Sequence, residues 1–193
     1  MKFTQIPTDS FKNIQLNAGI VVDSFTPGTG VIGNLFGATS GGISFTATPT
    51  YTDFGEDIDN CPTNTMELKR LDYWEAKMSG TLLTVTAATA AKLVGPADVS
   101  GDKVAPRGTI DVENDFNDVW WVGDYSDLNG EQNGGFVAIH LMNAMSNAGF
   151  SIQSTNKGKG QFSFEFLAHY SIDDIDAIPF EIYVKQGTAE AGA

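Results

Sequence analysis

The sequence predicts a mainly β protein, built of antiparallel strands with one short helix. Three observations carry that expectation. The stretch QFSFEFLAHY alternates, with Phe162, Phe164, Phe166, Ala168 and Tyr170 on one parity. Gln161, Ser163, Glu165 and His169 take the other parity, and Leu167 is the exception. Successive strand side chains point to opposite faces, so this is a half-buried strand with an aromatic inner face. Tyr73–Leu82 alternates in the same way: Trp74, Ala76, Met78, Gly80 and Leu82 against Glu75, Lys77, Ser79 and Thr81. The composition fits, because 13 Phe suit sheet packing and 21 Gly suit frequent turns.

Taken in order, residues 1–15 read as an N-terminal arm, whose first twelve residues are polar and mixed, with Phe3, Ile6 and Phe11 as bulky apolar side chains. A single domain follows over residues 16–186. Leu16–Phe25 reads as a strand, and TPGTGVIGNLFGATSGG is too glycine-rich for regular structure. Ile43–Thr48 alternates and reads as a second strand. Residues 50–72 read as one long polar loop, dense in acid at Asp53, Glu56, Asp57 and Asp59, with Lys69 and Arg70 near its far end. Loops of that length tend to be functional or disordered.

Thr86 is placed to cap a helix over AATAAKLV, residues 87–94, and Gly95-Pro96 stops it. Asp98–Gly108 reads as loop and Asp111–Asp118 as an acidic run. Asp118–Asp124 is a strand carrying Trp120 and Trp121, a candidate aromatic platform. Asn129-Gly130 and Asn133-Gly134 are turn dipeptides. STNKGKG folds the chain back between Ile152 and Phe162. Phe180, Ile182 and Val184 alternate with Glu181 and Lys185, which predicts one more half-buried strand. Residues 187–193 form a tail too poor in apolar side chains to order itself.

The net charge is −13, from 24 acids and 11 bases. A surface that grips nucleic acid phosphates needs clustered Lys and Arg, so the balance argues against one. It argues equally against an anionic membrane as partner. The start, MKFTQIPTDSF, lacks the apolar core of a signal peptide, and no apolar run approaches the roughly 18 residues of a span. Cys61 is the only cysteine, which excludes an internal disulfide framework. Synthesis and folding in a cytosol are the expectation.

Chemical motifs are weak. GTGVIG, from Gly28 to Gly33, matches a dinucleotide fingerprint in form, and Asp53 lies at a suitable distance for a ribose. No helix pattern follows to hold a pyrophosphate, so the stretch is a glycine-rich loop. His140 and His169 both sit in strand patterns. No G-x-S-x-G elbow occurs. Asp124–Gly130 misses the alternating ligands of a calcium loop. Cys61 has no neighbouring base. The expectation is a protein that is not an enzyme and uses no cofactor or metal.

Three long segments carry a resemblance: GGISFTATPTYTDFGEDIDNCP, LDYWEAKMSGTLLTVTAATAAKLVG, and WWVGDYSDLNGEQNGGFVAIHLMNAMSNAGFSIQSTNKGKGQFSFEF. In these the chain resembles the major tail proteins, or tail tube proteins, of long-tailed bacteriophages and related prophages of Gram-positive hosts. The resemblance implies a β-sandwich or barrel-like domain with one flanking helix. It implies a structural virion protein, made in the bacterial host cytoplasm, that forms hexameric rings stacked into a tail tube. Its partners would be further copies of itself, then the tape measure, tail terminator and baseplate proteins of the same phage. Double-stranded DNA would pass through without specific binding.

On that basis the polar parity of the two alternating strands faces the lumen: Glu75 and Ser79 on one, Gln161, Ser163 and Glu165 on the other. Lys77 shares that parity and needs a carboxylate on an adjacent strand. The loop residues Tyr51, Asp53, Glu56, Asp57, Asp59, Lys69 and Arg70 become candidates for contact with a neighbouring subunit or ring. The competing reading is a non-catalytic, carbohydrate-binding β-sandwich on a virion or cell surface, with Trp120 and Trp121 exposed as its platform.

Overall fold

Where the alternation is cleanest, the chain forms strands. In the computed structural model, which describes residues 6–7, 10, 14–125 and 134–187, twelve strands and one helix follow in order. They are β1 (Gln15–Val22), β2 (Phe25–Thr26), β3 (Val31–Ile32), β4 (Thr39–Asp53), β5 (Lys69–Leu82), α1 (Ala87–Val94), β6 (Ala97–Ser100), β7 (Lys103–Pro106), β8 (Asn117–Tyr125), β9 (Gly135–Ser146), β10 (Ser151–Gln153), β11 (Gln161–Leu167) and β12 (Phe180–Lys185). The protein is mainly β and antiparallel, consistent with a β-sandwich-like fold. No described helix is long and apolar enough to cross a membrane. Most of the N-terminal arm, the tail beyond Gly187, and the Asn129-Gly130 and Asn133-Gly134 turns, Gly134 apart, lie outside the described residues.

Eight strands form one sheet that divides into two groups. One runs β1-β8-β9-β12 and the other β4-β5-β11-β10. Strand β9 joins them. Its first part pairs with β12, and its last residues, Met145 and Ser146, pair with Leu167 and Phe166 of β11. The two groups then fold over one another. Phe45 of β4 and Trp74 of β5 meet Phe180 of β12 at ring distances of 5.8 and 5.5 Å, although these strands share no ladder.

The core between the groups is a single apolar cluster. Val21, Val119 and Leu141 enter from one side, and Ala76, Met78, Leu82, Phe164 and Phe166 from the other. Phe162 is partly buried against this cluster. The inner parity expected for β5 and β11 is therefore the observed one. Gly80 matters here: a Cβ on it would lie 2.6 Å from Ile43 Cδ1 and 3.0 Å from Phe164 Cζ. Gly19, at φ +68, likewise makes room for the Trp121 ring, whose Nε1 donates to Ala18 O at 3.0 Å.

Helix α1 closes one end of the core. The Thr86 hydroxyl accepts from Thr89 N at 3.2 Å, satisfying one free N–H of the first turn. Gly95, at φ 93, ends the helix with its N–H on Ala91 O. Leu93 is fully buried in the core, and Thr89 Oγ1 donates to Phe36 O.

Four expectations need correction. Residues 50–72 are not one loop. Strands β4 and β5 pair from Thr39 opposite Leu82 out to Asp53 opposite Lys69, leaving only residues 54–68 as the tip. A strand that projects past the core has nothing apolar to alternate against, so its composition reads as loop. Asp98–Gly108 contains the hairpin β6–β7, with Val99 opposite Val104 around Gly101-Asp102. That two-residue turn between alternating runs is a readable hairpin signal. The strand expected over Leu16–Phe25 stops at Val22, because Phe25 opens the hairpin β2–β3 inside the glycine-rich stretch. Finally, β12 is half buried at Tyr183, which packs on Trp120 from the opposite parity, as well as at Phe180. Ile182 and Val184 share its parity but are exposed, because the opposing layer ends there.

Phe164 retains 3% of its surface. Phe164→Ala is expected to cost about 3–5 kcal/mol, read as a lower urea midpoint at unchanged slope. A parental midpoint would place this side chain outside the core.

Candidate functional site

The polar side of the β4-β5-β11-β10 group is the most extensive feature left over once the core is accounted for. In the β5–β11 ladder Ser163 lies opposite Thr81, Glu165 opposite Ser79, and Leu167 opposite Lys77. The period of two sends all of these away from the aromatic core face. Strand β4 adds Ser44 opposite Ser79, Thr46 opposite Lys77 and Thr48 opposite Glu75. Strand β10 adds Ser151 opposite Ser163 and Gln153 opposite Gln161. The ladder thus gathers Glu75, Ser79, Gln161, Ser163 and Glu165 onto one four-stranded face. The β4 and β10 contributions were not assigned in the sequence, although the alternation of Ile43–Thr48 contained the signal for β4.

This face is polar and nearly uncharged. Its charged members are Glu75, Lys77 and Glu165. Lys77 Nζ lies 3.3 Å from Glu75 Oε1 on its own strand, not on the adjacent strand as expected. An i, i+2 pair on one strand points to one face, which makes the contact available without a cross-strand partner. Glu165 accepts from Asn147 Nδ2 at 3.0 Å. Leu167 apart, the remaining groups are hydroxyls and amides, which hydrogen-bond water as readily as any ligand.

The β4–β5 hairpin is the second feature. A bulge between Thr50 and Tyr51 marks where it leaves the body. Beyond the bulge, from residue 51 to 73, only Gly55 is buried. Tyr51, Phe54, Ile58, Met66, Leu71 and Tyr73 are exposed apolar side chains on this arm. Such a concentration on one projection is more than scattered surface apolarity.

The seven loop candidates divide by location. Tyr51, Asp53, Lys69 and Arg70 belong to the paired strand ends, whereas Glu56, Asp57 and Asp59 are exposed on the tip. The two bases are occupied within the arm. Lys69 Nζ bonds Asn64 Oδ1 at 3.0 Å and sits 5.1 Å over the Tyr51 ring. Arg70 pairs with Asp72 at 2.8 Å and lies over Phe54. The Thr52 hydroxyl, then Arg70, hold the Asp72 carboxyl below its ordinary range. Asp53 ties the tip to its base: its two oxygens accept from Gly55 N at 2.9 Å and Asn64 N at 2.7 Å.

The remaining chemical candidates are spent on structure. Trp120 is 7% exposed, wedged against Phe25 of the β2–β3 hairpin, and Trp121 packs against the main core. Neither forms the exposed platform that a carbohydrate-binding surface requires, because the two adjacent side chains point to opposite, covered faces of β8. His140 stacks on Trp120 at 3.8 Å, with Nε2 3.0 Å from Asp118 and Nδ1 3.7 Å from Glu181. The His140 ring beside it keeps the Asp118 carboxyl below its usual value. His169 faces Asn143 O and the Phe116 ring. Cys61 Sγ meets Thr65 Oγ1 and Pro62 O. Among the described residues no His, Cys, Asp and Glu cluster has the geometry to hold a metal ion.

No family model and no curated protein matches this chain.

The Gly55 and Asn64 N–H groups hold the Asp53 carboxyl below its unfolded value of 3.8. A depressed carboxyl stabilises the fold above its unfolded value and loses that contribution as pH falls through the folded one. Amide protection at Gly55 and Asn64 is expected to hold at neutral pH and to collapse below about pH 3.8. Asp53→Ala should remove the protection at every pH. Protection in that variant equal to the parent's would show that the carboxylate does not close the tip.

Proposed function

We propose that this chain is a structural virion subunit that assembles into hexameric rings, stacked as a phage tail tube through which the genome passes. The observation that carries the reading is the four-stranded face, polar except at Leu167, backed by a core on its other side. A conduit for duplex DNA needs a wall of that kind. A basic lining would bind phosphates, which come at one per roughly 1.7 Å of duplex axis, and would brake the strand. A face of hydroxyls, amides and a slight acidic excess grips nothing.

Two further features support the reading. The edge of β4 is open, and an unpaired edge of 15 residues is a template for a neighbouring strand. Pro49 sits on that strand, where its missing N–H costs no ladder bond. The projecting arm exposes the apolar side chains Ile58, Met66 and Leu71 and, on its tip, the acids Glu56, Asp57 and Asp59. A subunit that lives in a polymer would keep such groups for its neighbours. In this role the protein is not an enzyme, and no membrane takes part.

Negative-stain microscopy of the purified protein tests the reading. Rings with a central hole, or hollow tubes, are the expected outcome, and a protein that stays monomeric at all concentrations overturns it. The lumen assignment has its own test. Glu75→Lys with Glu165→Lys should leave assembly intact and make the tubes retain duplex DNA, the retention falling steeply with added salt. Tubes of the double variant that retain no more DNA than the parent would put these residues on the outer wall.

A further inference from the structure

The two ends of strand β11 carry opposite and unmatched surfaces. After Leu167 the chain runs through Ala168–Tyr170, with the Tyr170 hydroxyl accepting from Trp74 N, into the loop Ser171–Ile178. This loop reads SIDDIDAI, with three aspartates and no base. It is closed on itself by the Ser171–Asp174 bridge and by Asp173 N on Ser171 Oγ at 3.2 Å. The closure turns its isoleucines outward: Ile172 is 91% exposed and Ile175 69%. Asp173, Asp174 and Asp176 are exposed as well, and none has an ion-pair partner among the described residues.

Before Gln161 lies the turn between β10 and β11. Residues 147–161, NAGFSIQSTNKGKGQ, contain two lysines and no acid. Phe150 and Ile152 are exposed beside them. A cleft of about 300 Å³ opens here, lined by Ser40, Leu83, Gln153, Thr155, Lys159 and Gln161. The seven residues of β11 hold the two surfaces roughly 20 Å apart. They cannot satisfy one another within a single chain.

We infer that the acidic, isoleucine-bearing loop Ser171–Ile178 of one copy docks on the basic β10–β11 turn and its cleft in the next copy. The partner is a second copy because both halves of the match, in charge and in apolar exposure, are present on this chain at opposite ends. Such a contact is head-to-tail. It closes into a ring only if the rotation permits and otherwise propagates as a filament. Isoleucine side chains enter the cleft, while Asp173 and Asp176 meet Lys157 and Lys159 around it. Like charges would repel in the reverse pairing, so the charges set direction as well as affinity. The inference deepens the tube reading by naming the contact that stacks the subunits, and rests on that reading only for the ring.

Charge reversal tests it. One variant carries Asp173→Lys and Asp176→Lys; a second carries Lys157→Asp and Lys159→Glu, the Asp being chosen because Lys157 has φ 61. By sedimentation velocity each variant alone should associate at least about tenfold more weakly than the parent. An equimolar mixture should copolymerise, since each reversed loop then meets a reversed turn. Parental association should also weaken as salt rises above about 0.15 M. Variants that associate as the parent does, or natively folded variants that the mixture fails to restore, overturn the inference. If a reversed loop loses its near-UV signal, isosteric Asp173→Asn with Asp176→Asn takes its place, and association at parental strength is the overturning result. Hollow tubes that survive both reversals overturn the docking and leave the tube reading standing. Alternating head-to-tail chains without hollow rings support the docking and overturn the tube. A parent that remains monomeric throughout overturns both.

Discussion

Phe164 rests against Gly80 across the β5–β11 ladder, and much of the molecule follows from that contact. The ring fills the space a Cβ would need, so no other residue fits opposite it without displacing Ile43 or the ring itself. The contact pins the register of β11 on β5. A slip by one residue would send Phe162, Phe164 and Phe166 to the wet side and Ser163 and Glu165 into the core. Register here is therefore a choice between a folded protein and none. The polar face is its by-product: once the phenylalanines are committed inward, every intervening hydroxyl, amide and carboxylate must share the other side.

The same strands also explain the division between a rigid body and a projecting arm. Strands β4 and β5 run through the core as its flank and then continue past it as an isolated hairpin. A two-stranded ribbon without a layer beneath it is marginal in water. This arm is held by local devices instead. The Asp53 carboxylate gathers two backbone N–H groups, Arg70 pairs with Asp72, and two cations cover aromatic rings. Exposed pairs of this kind contribute little individually. The arm keeps its shape while presenting its apolar side chains outward, which suits a contact made with another chain.

Several ionisable groups are engaged by neighbours from other parts of the chain. Arg107 bridges Asp98 and Asp115, joining the β6–β7 hairpin to the segment before β8. His140 lies between carboxylates on neighbouring strands over a tryptophan face. Each carboxylate or ring so engaged is held in place by its partners. The surfaces that remain unspent are broad and shallow, or arranged at the ends of strands. Surfaces of that shape suit repeated copies of a protein better than small ligands.

What the sequence determined by itself is local. Alternation placed β11 and the Tyr73–Leu82 part of β5, and the Thr86 cap with the Gly95 stop bounded α1, because each depends on contacts a few residues away. The inward parity of Phe164, Phe166 and Met78 was equally legible, since a half-buried strand must write its faces into its residues. Tertiary structure decided the rest. Whether Trp120 or Trp121 is exposed depends on the β2–β3 hairpin covering one face of β8 and the opposing group covering the other. Ile182 and Val184 carry a core parity but lie beyond the edge of the layer that would bury them. The arm reads as loop because its strands hydrogen-bond only to each other and bury nothing. Burial is a property of what lies across the gap, and a strand's own residues cannot state where the opposing layer ends.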